Sequence, residues 1–171
     1  MKSGMEWSQF EYFNPLWKKR IESMVEFIEP STQSILDLGC GPMWLKSCIS
    51  SKVKYFGCDY TKRNQETIVC DLNKYEFPNI HSDIYFMSGI IEYIDDLDWL
   101  FGQTANYSNG IILSYCSRDF YNKIYFRKRK GWRNHYSTEE LIGRIELHGF
   151  QLSNSSSNIK NNIILYFKKV I

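Results

Sequence analysis

Apolar residues recur along this chain in two alternating rhythms. From Asn14 to Ile28, the residues Leu16, Trp17, Ile21, Met24, Val25 and Ile28 return at helical spacing, with Pro15 suited to the first turn and Pro30 closing the segment. Short apolar runs then predict strands over Ser34–Leu38, Lys54–Cys58, Thr67–Cys70, Asp83–Met87, Gly110–Tyr115, Phe150–Ser153 and Asn162–Phe167. The densest run, Gly110–Tyr115, has the composition of a central parallel strand buried on both faces. Between the strands, helical spacing returns at Leu45–Ile49, at Asp95–Tyr107 with Leu97, Leu100 and Phe101 inward, and at Ser137–His148. Ser137 followed three residues later by Glu140 is a capping box, and Gly149 stops that helix.

Strands alternating with helices and ending in a hairpin predict an α/β fold, a mostly parallel sheet with helices on both faces and one antiparallel strand. The length fits one domain over residues 1–171. Two connections are short. Asp59 to Glu66 leaves little room for a helix, and Asp71 to Asp83 leaves room for a single turn. The Ser/Asn-rich stretch Ser153–Asn162 reads as a solvated loop inside the terminal hairpin.

The first strand runs into a glycine turn, Asp37-Leu38-Gly39-Cys40-Gly41-Pro42, ahead of an amphipathic segment. Glycines let a backbone turn sharply and approach a ligand, and a helix start presents unpaired N–H groups, so this is a cofactor cradle. A dinucleotide fingerprint requires Gly or Ala where this chain has Trp44. Asp37, two residues before Gly39, is the distinguishing acid.

Composition narrows the function classes. A formal net charge of +2 does not point to wholesale nucleic-acid binding. No apolar run is long enough to span a membrane, and Met1 to Trp7 lacks the basic-then-apolar pattern of a secretory signal. Cys40, Cys48, Cys58, Cys70 and Cys116 are scattered without a C-x-x-C pair, as expected of free thiols in the cytoplasm. His81, His135 and His148 form no ligand-spaced cluster with them, so no metal site is expected.

The D-x-G-x-G turn at Asp37, Gly39 and Gly41 resembles motif I of the class I S-adenosylmethionine (SAM)-dependent methyltransferases, and later landmarks follow in order between Ile28 and Phe167. The resemblance implies a Rossmann-like seven-stranded sheet of order 3-2-1-4-5-7-6, here trimmed between strands two and three and between strands three and four. It implies SAM as cofactor, with Asp37 facing the methionine end and the turn Gly39, Cys40 and Gly41 bordering it. Asp59, about 20 residues past the turn, is placed to accept both ribose hydroxyls. Tyr60 then lies against the adenine, Asp71 meets the adenine amino group, and the Leu72 N–H meets the ring. Phe86-Met87-Ser88-Gly89-Ile90-Ile91-Glu92-Tyr93 resembles the family's motif IV region, with Met87, Ser88 and Gly89 bordering the cofactor and Glu92 and Tyr93 near the methyl group. Glu92 also suits the start of a helix, as a charge complementing its dipole.

Residues 117–136 form a long, aromatic and basic insertion after the fifth strand, read as a substrate lid. His135 is its general-base candidate, and Arg127 to Lys130 a cluster for a phosphate or carboxylate on the substrate. Residues 1–30, with Trp7, Phe10, Tyr12 and Phe13, are read as a helical leading segment that packs or closes over the site. There is no Asn-Pro-Pro-Tyr after the fourth strand and no cysteine placed for C5-pyrimidine methylation. The expected activity is methyl transfer to a small polar acceptor, such as a sugar or metabolite hydroxyl of surface glycan or secondary metabolism. An RNA or protein acceptor and a non-catalytic SAM-binding subunit are the alternatives.

Overall fold

The computed structural model describes residues 14–159 and 161–170; Trp7, Phe10, Tyr12 and Phe13 lie outside the described residues. Seven strands form one sheet: β1 (Ser34–Leu38), β2 (Lys54–Asp59), β3 (Ile68–Val69), β4 (Ser82–Ser88), β5 (Ser108–Tyr115), β6 (Phe150–Ile159) and β7 (Asn162–Lys169). Their order is β3-β2-β1-β4-β5-β7-β6, as the resemblance implied. The pairs β2–β3, β1–β2, β1–β4 and β4–β5 are parallel, while β7 runs antiparallel to both β5 and β6.

Alternation along the central strands divides the core into two layers. Leu36, Leu38, Tyr85, Met87, Ile111, Leu113 and Leu165 share one layer with Leu97, Leu100 and Phe101 of α2 (Leu97–Tyr107) and Leu141 and Ile145 of α4 (Thr138–Glu146). Ile35, Ile84, Phe86, Ile112 and Ile164 share the other with Ile21 and Met24 of α1 (Leu16–Val25). Each fully buried Leu, Ile or Phe contributes about 1.5–3 kcal/mol, so these faces fix the register of the sheet. The capping box of α4 is present, with Glu140 N–H donating to Ser137 Oγ at 3.1 Å and Ser137 N–H donating to Glu140 Oε2 at 2.6 Å. No helix among the described residues is long and apolar enough to cross a membrane.

Two expectations are corrected. The segment Leu45–Ile49 is not a crossover helix; a 3₁₀ turn over Trp44–Ser47 replaces it. Met43 is left-handed at φ 57°, Ser47 Oγ turns back onto Trp44 O, and serines at 50 and 51 favour turns over helix. The stretch Ser153–Asn162 is not a loop over residues 153–159. β6 continues through the Ser/Asn run to Ile159, which pairs with Asn162, and Asn161 is left-handed at φ 61°. The backbone ladder to β7 supplies the pairing there, and the outermost position in the sheet leaves most of these side chains in solvent. Both short connections hold: β2 reaches β3 without a helix, and a 3₁₀ turn over Leu72–Lys74 serves between β3 and β4.

Candidate active site

The C-terminal ends of β1, β2 and β4 converge on the glycine turn. Gly39 N–H and Cys40 N–H both donate to Cys58 O, at 2.8 and 2.9 Å, which ties the turn to β2. Gly39 (φ 73°) lies against Ile90, whose Cγ2 is 2.2 Å from where a Cβ would stand, so no larger residue fits. Gly41 N–H donates to Asp59 Oδ2 at 2.9 Å. The other Asp59 oxygen accepts from Thr61 N–H at 3.2 Å and pairs with Arg63 at 3.0 Å. Asp59 is thus buried at 4% exposure with the turn, the following loop and a guanidinium all on its carboxylate. The thiols of Cys58 and Cys70 meet 2.9 Å apart and hold the β2 and β3 tips together.

Asp37 faces inward. It is 3% exposed and accepts from the Tyr55 hydroxyl at 2.8 Å. Burial pushes its pKa up to about 7 against the pull of the Tyr55 bond, with Asp59 adding repulsion. Asp71 caps the Leu72–Lys74 turn through Asn73 N–H at 3.1 Å and pairs with Lys74 at 3.3 Å. Leu72 and Met87 have buried side chains in the α2-side core, Cys40 is also buried, and Tyr60 is half exposed.

Between β4 and β5 the rim carries a second group. Ser88 ends β4 and Gly89 (φ 68°) follows it, with Gly89 N–H donating to Ser114 Oγ at 2.9 Å. Arg20, from α1, donates through Nε to Ser88 Oγ at 3.0 Å and through Nη2 to Ser88 O at 3.4 Å. Its guanidinium lies on Gly89, with Nη2 2.4 Å from the place of a Cβ. Glu92 is buried in a 3₁₀ turn over Ile91–Tyr93 rather than at a longer helix start. One carboxyl oxygen accepts from Cys116 N–H at 2.7 Å and the other is buried without a hydrogen-bond partner. Burial raises its pKa, opposed by the Cys116 bond and the nearby charges of Arg20 and Arg127. Burial likewise pushes the Tyr93 hydroxyl up to about 12.

The insertion after β5 is docked rather than free. Arg127, in the short helix α3 (Ile124–Arg129), is fully buried. It donates to Cys116 O at 2.7 Å, Tyr115 Oη at 3.1 Å, Tyr121 O at 3.3 Å, Asn134 O at 3.4 Å and His135 Nδ1 at 3.1 Å. Asn134 Nδ2 reaches Ile91 O at 2.5 Å, and Arg133 N–H reaches Glu92 O at 2.7 Å. The basic cluster therefore divides: Arg127 is an internal staple, and only Lys128, Arg129 and Lys130 remain outside. His135 accepts at Nδ1, and burial and the Arg127 charge lower its pKa. Its neutral ring then carries the proton on Nε2 and has no free lone pair for base catalysis. It lines a shallow cavity with Arg118, Tyr136 and Glu140 on the α4 side, rather than joining Glu92. In this arrangement Arg127 occupies the His135 nitrogen that a general base would use. Arg20 escaped sequence reading because it follows Lys18 and Lys19 in a run that looks solvent-facing. Among the described residues no metal-holding group of His, Cys, Asp or Glu occurs.

Replacing Arg127 with Met is expected to cost about 3 kcal/mol or more, since three backbone carbonyls lose their donor, and Arg127→Lys will not restore it. Urea unfolding of the three proteins measures this. Asp37 gives a pH test. Folded Asp37 keeps its proton to about pH 7, whereas an unfolded aspartate releases it near pH 4. The folded state binds more protons in between, so this group's contribution to stability falls as pH rises from about 4 to about 7 and then levels. Urea midpoints should show Asp37→Asn gaining on wild type between pH 5 and pH 7.5, by on the order of 2 kcal/mol; parallel pH curves would refute the assignment.

No protein-family model and no curated protein matches this sequence. Solved structures do. A proposed O-methyltransferase from Nostoc punctiforme PCC 73102 aligns with TM-score 0.76 and 12% identity over 95% of this chain and 60% of that one. Magnesium protoporphyrin IX methyltransferase (ChlM) from Synechocystis PCC 6803, solved with S-adenosylhomocysteine (SAH), aligns with TM-score 0.69 and 12% identity over 89% and 83%. The pyocyanin biosynthetic protein PhzM aligns with TM-score 0.68 and 14% identity over 88% of this chain, which spans 54% of PhzM. The strand order and these alignments establish that the chain has the class I methyltransferase fold.

Proposed function

We propose that this protein binds SAM along the C-terminal rim of the sheet and transfers its methyl group to a small polar acceptor, a sugar or metabolite hydroxyl of surface glycan or secondary metabolism. The observation that carries this reading is the convergence of the Gly39–Gly41 turn and Asp59 at adjacent strand ends, fixed by the Gly41 to Asp59 bond of 2.9 Å. Ligands of open parallel sheets lie at that edge. The SAH bound to ChlM, on the same fold, supports the choice of cofactor.

Asp59 would hold the ribose, with Arg63 as the group that must yield to it, and Tyr60 and Asp71 would flank the adenine. Ser88 and Gly89 would border the cofactor through backbone atoms. When bound, SAM supplies a methyl group on a sulfonium, an already activated leaving group. The remaining task of the chain is to hold a nucleophile close and in line. Of the catalytic candidates, Glu92 fits proton acceptance best: its free oxygen is buried at the β4–β5 rim, and its raised pKa moves it toward the working pH. Tyr93 keeps its proton and serves as a donor beside it. Docking of the 117–136 segment by Arg127 makes that segment a fixed wall of the acceptor space.

Calorimetric titration is expected to give micromolar SAM affinity and none for NAD. Asp59→Ala should weaken SAM at least tenfold, about 1.4 kcal/mol, with a melting scan to separate loss of the site from loss of the fold. Unchanged affinity would remove the ribose assignment.

One observation favours a nucleic-acid acceptor as a second reading. Lys123 lies 5.9 Å from the exposed ring of Phe126 and Arg129 5.8 Å from that of Tyr125, with Lys128 and Lys130 exposed on the same segment. Single-stranded RNA binds such platforms of cations and aromatic faces. Under this reading, RNA affinity falls steeply between 50 and 200 mM salt; absence of RNA binding at low salt removes it.

A further inference from the structure

The cysteines of this chain are unevenly placed. Cys116 follows β5 at the far side of the rim, and Cys48 is half-buried beside the Ser47 hydroxyl. Cys58 and Cys70 instead share one site. Their sulfurs lie 2.9 Å apart and buried, although the residues stand 12 positions apart in the chain. No other two thiols among the described residues meet at hydrogen-bond distance.

Backbone pairing holds both residues there. Cys58 pairs with Ile68 in the parallel ladder, and Cys70 N–H donates to Asp59 O at 3.0 Å just past the last paired residues. The Cys58 carbonyl is fixed in turn by the N–H groups of Gly39 and Cys40. The two sulfurs differ in access. Cys58 is 1% exposed, within the core layer that holds Leu38 and Leu72. Cys70 is 6% exposed and adjoins Val69, which is open to solvent at the margin of the sheet. β3 is only two residues long, and so short an edge element belongs to the part of a fold that opens locally. Cys70 is therefore the sulfur that a small reagent meets first. The Cys58 pKa is pushed up, by the hydrogen bond with Cys70 and then by burial, which keeps that sulfur a thiol behind it.

We propose that Cys58 and Cys70 are an oxidisable dithiol, which a small peroxide converts into a disulfide that straps the tip of β3 to β2. With hydrogen peroxide the chemistry balances in two steps. The Cys70 sulfur first attacks one peroxide oxygen: an S–O bond forms, the O–O bond breaks, and the other oxygen leaves as water with the Cys70 proton. The Cys58 sulfur then attacks the Cys70 sulfur: an S–S bond forms, the S–O bond breaks, and the hydroxyl leaves as a second water with the Cys58 proton. The two thiols lose two electrons and the peroxide gains them. The sulfurs need to close by only about 1 Å to bond. The strap would close the chain from Asp59 to Val69 into a loop, the stretch that carries Arg63 onto Asp59. Such a closure stabilises the fold by restraining the unfolded chain. The inference stands apart from the cofactor reading, since it uses no ligand.

The test uses the full wild-type chain. Native protein is treated with a small excess of hydrogen peroxide, unfolded, alkylated and digested, and its peptides are weighed. The expected product joins the peptides of Cys58 and Cys70, lighter by two hydrogens, with Cys40, Cys48 and Cys116 still alkylated. The melting temperature should rise by about 5–10 °C, and dithiothreitol should reverse both changes. Protein oxidised in urea is expected to give a mixture of pairings; the same mixture from native protein overturns the proposal. So do five alkylated cysteines after peroxide, a bond to another cysteine or between two chains, and a Cys70 sulfinic acid without a link. A Cys58–Cys70 bond that leaves the melting temperature unchanged or lowers it overturns the strap.

Discussion

The arrangement of the segment after β5 depends on one buried guanidinium. Arg127 has no exposed surface and reaches the end of β5, the α3 segment and the approach to α4 at once. Burying a cation in protein is costly unless its donors are met. Here the oxygens of Cys116, Tyr121, Asn134 and Tyr115 meet them, and the reward is geometric. Cys116 is fixed from both sides, by Arg127 on its carbonyl and by Glu92 on its N–H. Glu92 is in turn held through its carbonyl by Arg133. The turn after β4 and the insertion after β5 are thereby tied to each other through Glu92 and Cys116.

The tips of β1 and β2 follow another logic, in which acids at strand ends organise backbone. Asp59 gathers the N–H of Gly41, the N–H of Thr61 and the Arg63 side chain. Asp37, two residues before the turn, is tied to Tyr55 on the neighbouring strand. A carboxylate that orders its own loop before a ligand arrives reduces what must be ordered on binding. The same acids carry a cost, since burial without full compensation drives the Asp37 proton affinity upward.

Legibility in the sequence tracked how local each signal was. The capping box at Ser137 and Glu140, the stop at Gly149 and the strand runs were readable because each acts within a few residues. Asp37, Gly39, Gly41 and Asp59 were readable as a set because their spacing is bound to a strand, a turn and a second strand. Arg127 was not, because a Lys/Arg run reads as a solvated surface and the carbonyls that enclose it lie 6 to 11 residues away. Arg20 was hidden for the same reason, its partner Ser88 being 68 residues distant. The Ser/Asn run in β6 misled because polar composition records exposure, while strand formation there is decided by pairing with β7.

That polar run has a bearing on how copies of the protein behave beside one another. A sheet margin offers unpaired N–H and C=O groups to any passing strand, and flat apolar margins invite stacking into aggregates. Here one margin, β3, is two residues long, and the other, β6, is irregular, with pairing shifts between Leu152 and Asn154 and between Ser156 and Ile159. Serine and asparagine side chains along it compete for the same backbone groups that an intruding strand would need. The two margins are thus poor templates, and self-association of this sheet by lateral strand addition is discouraged at both ends.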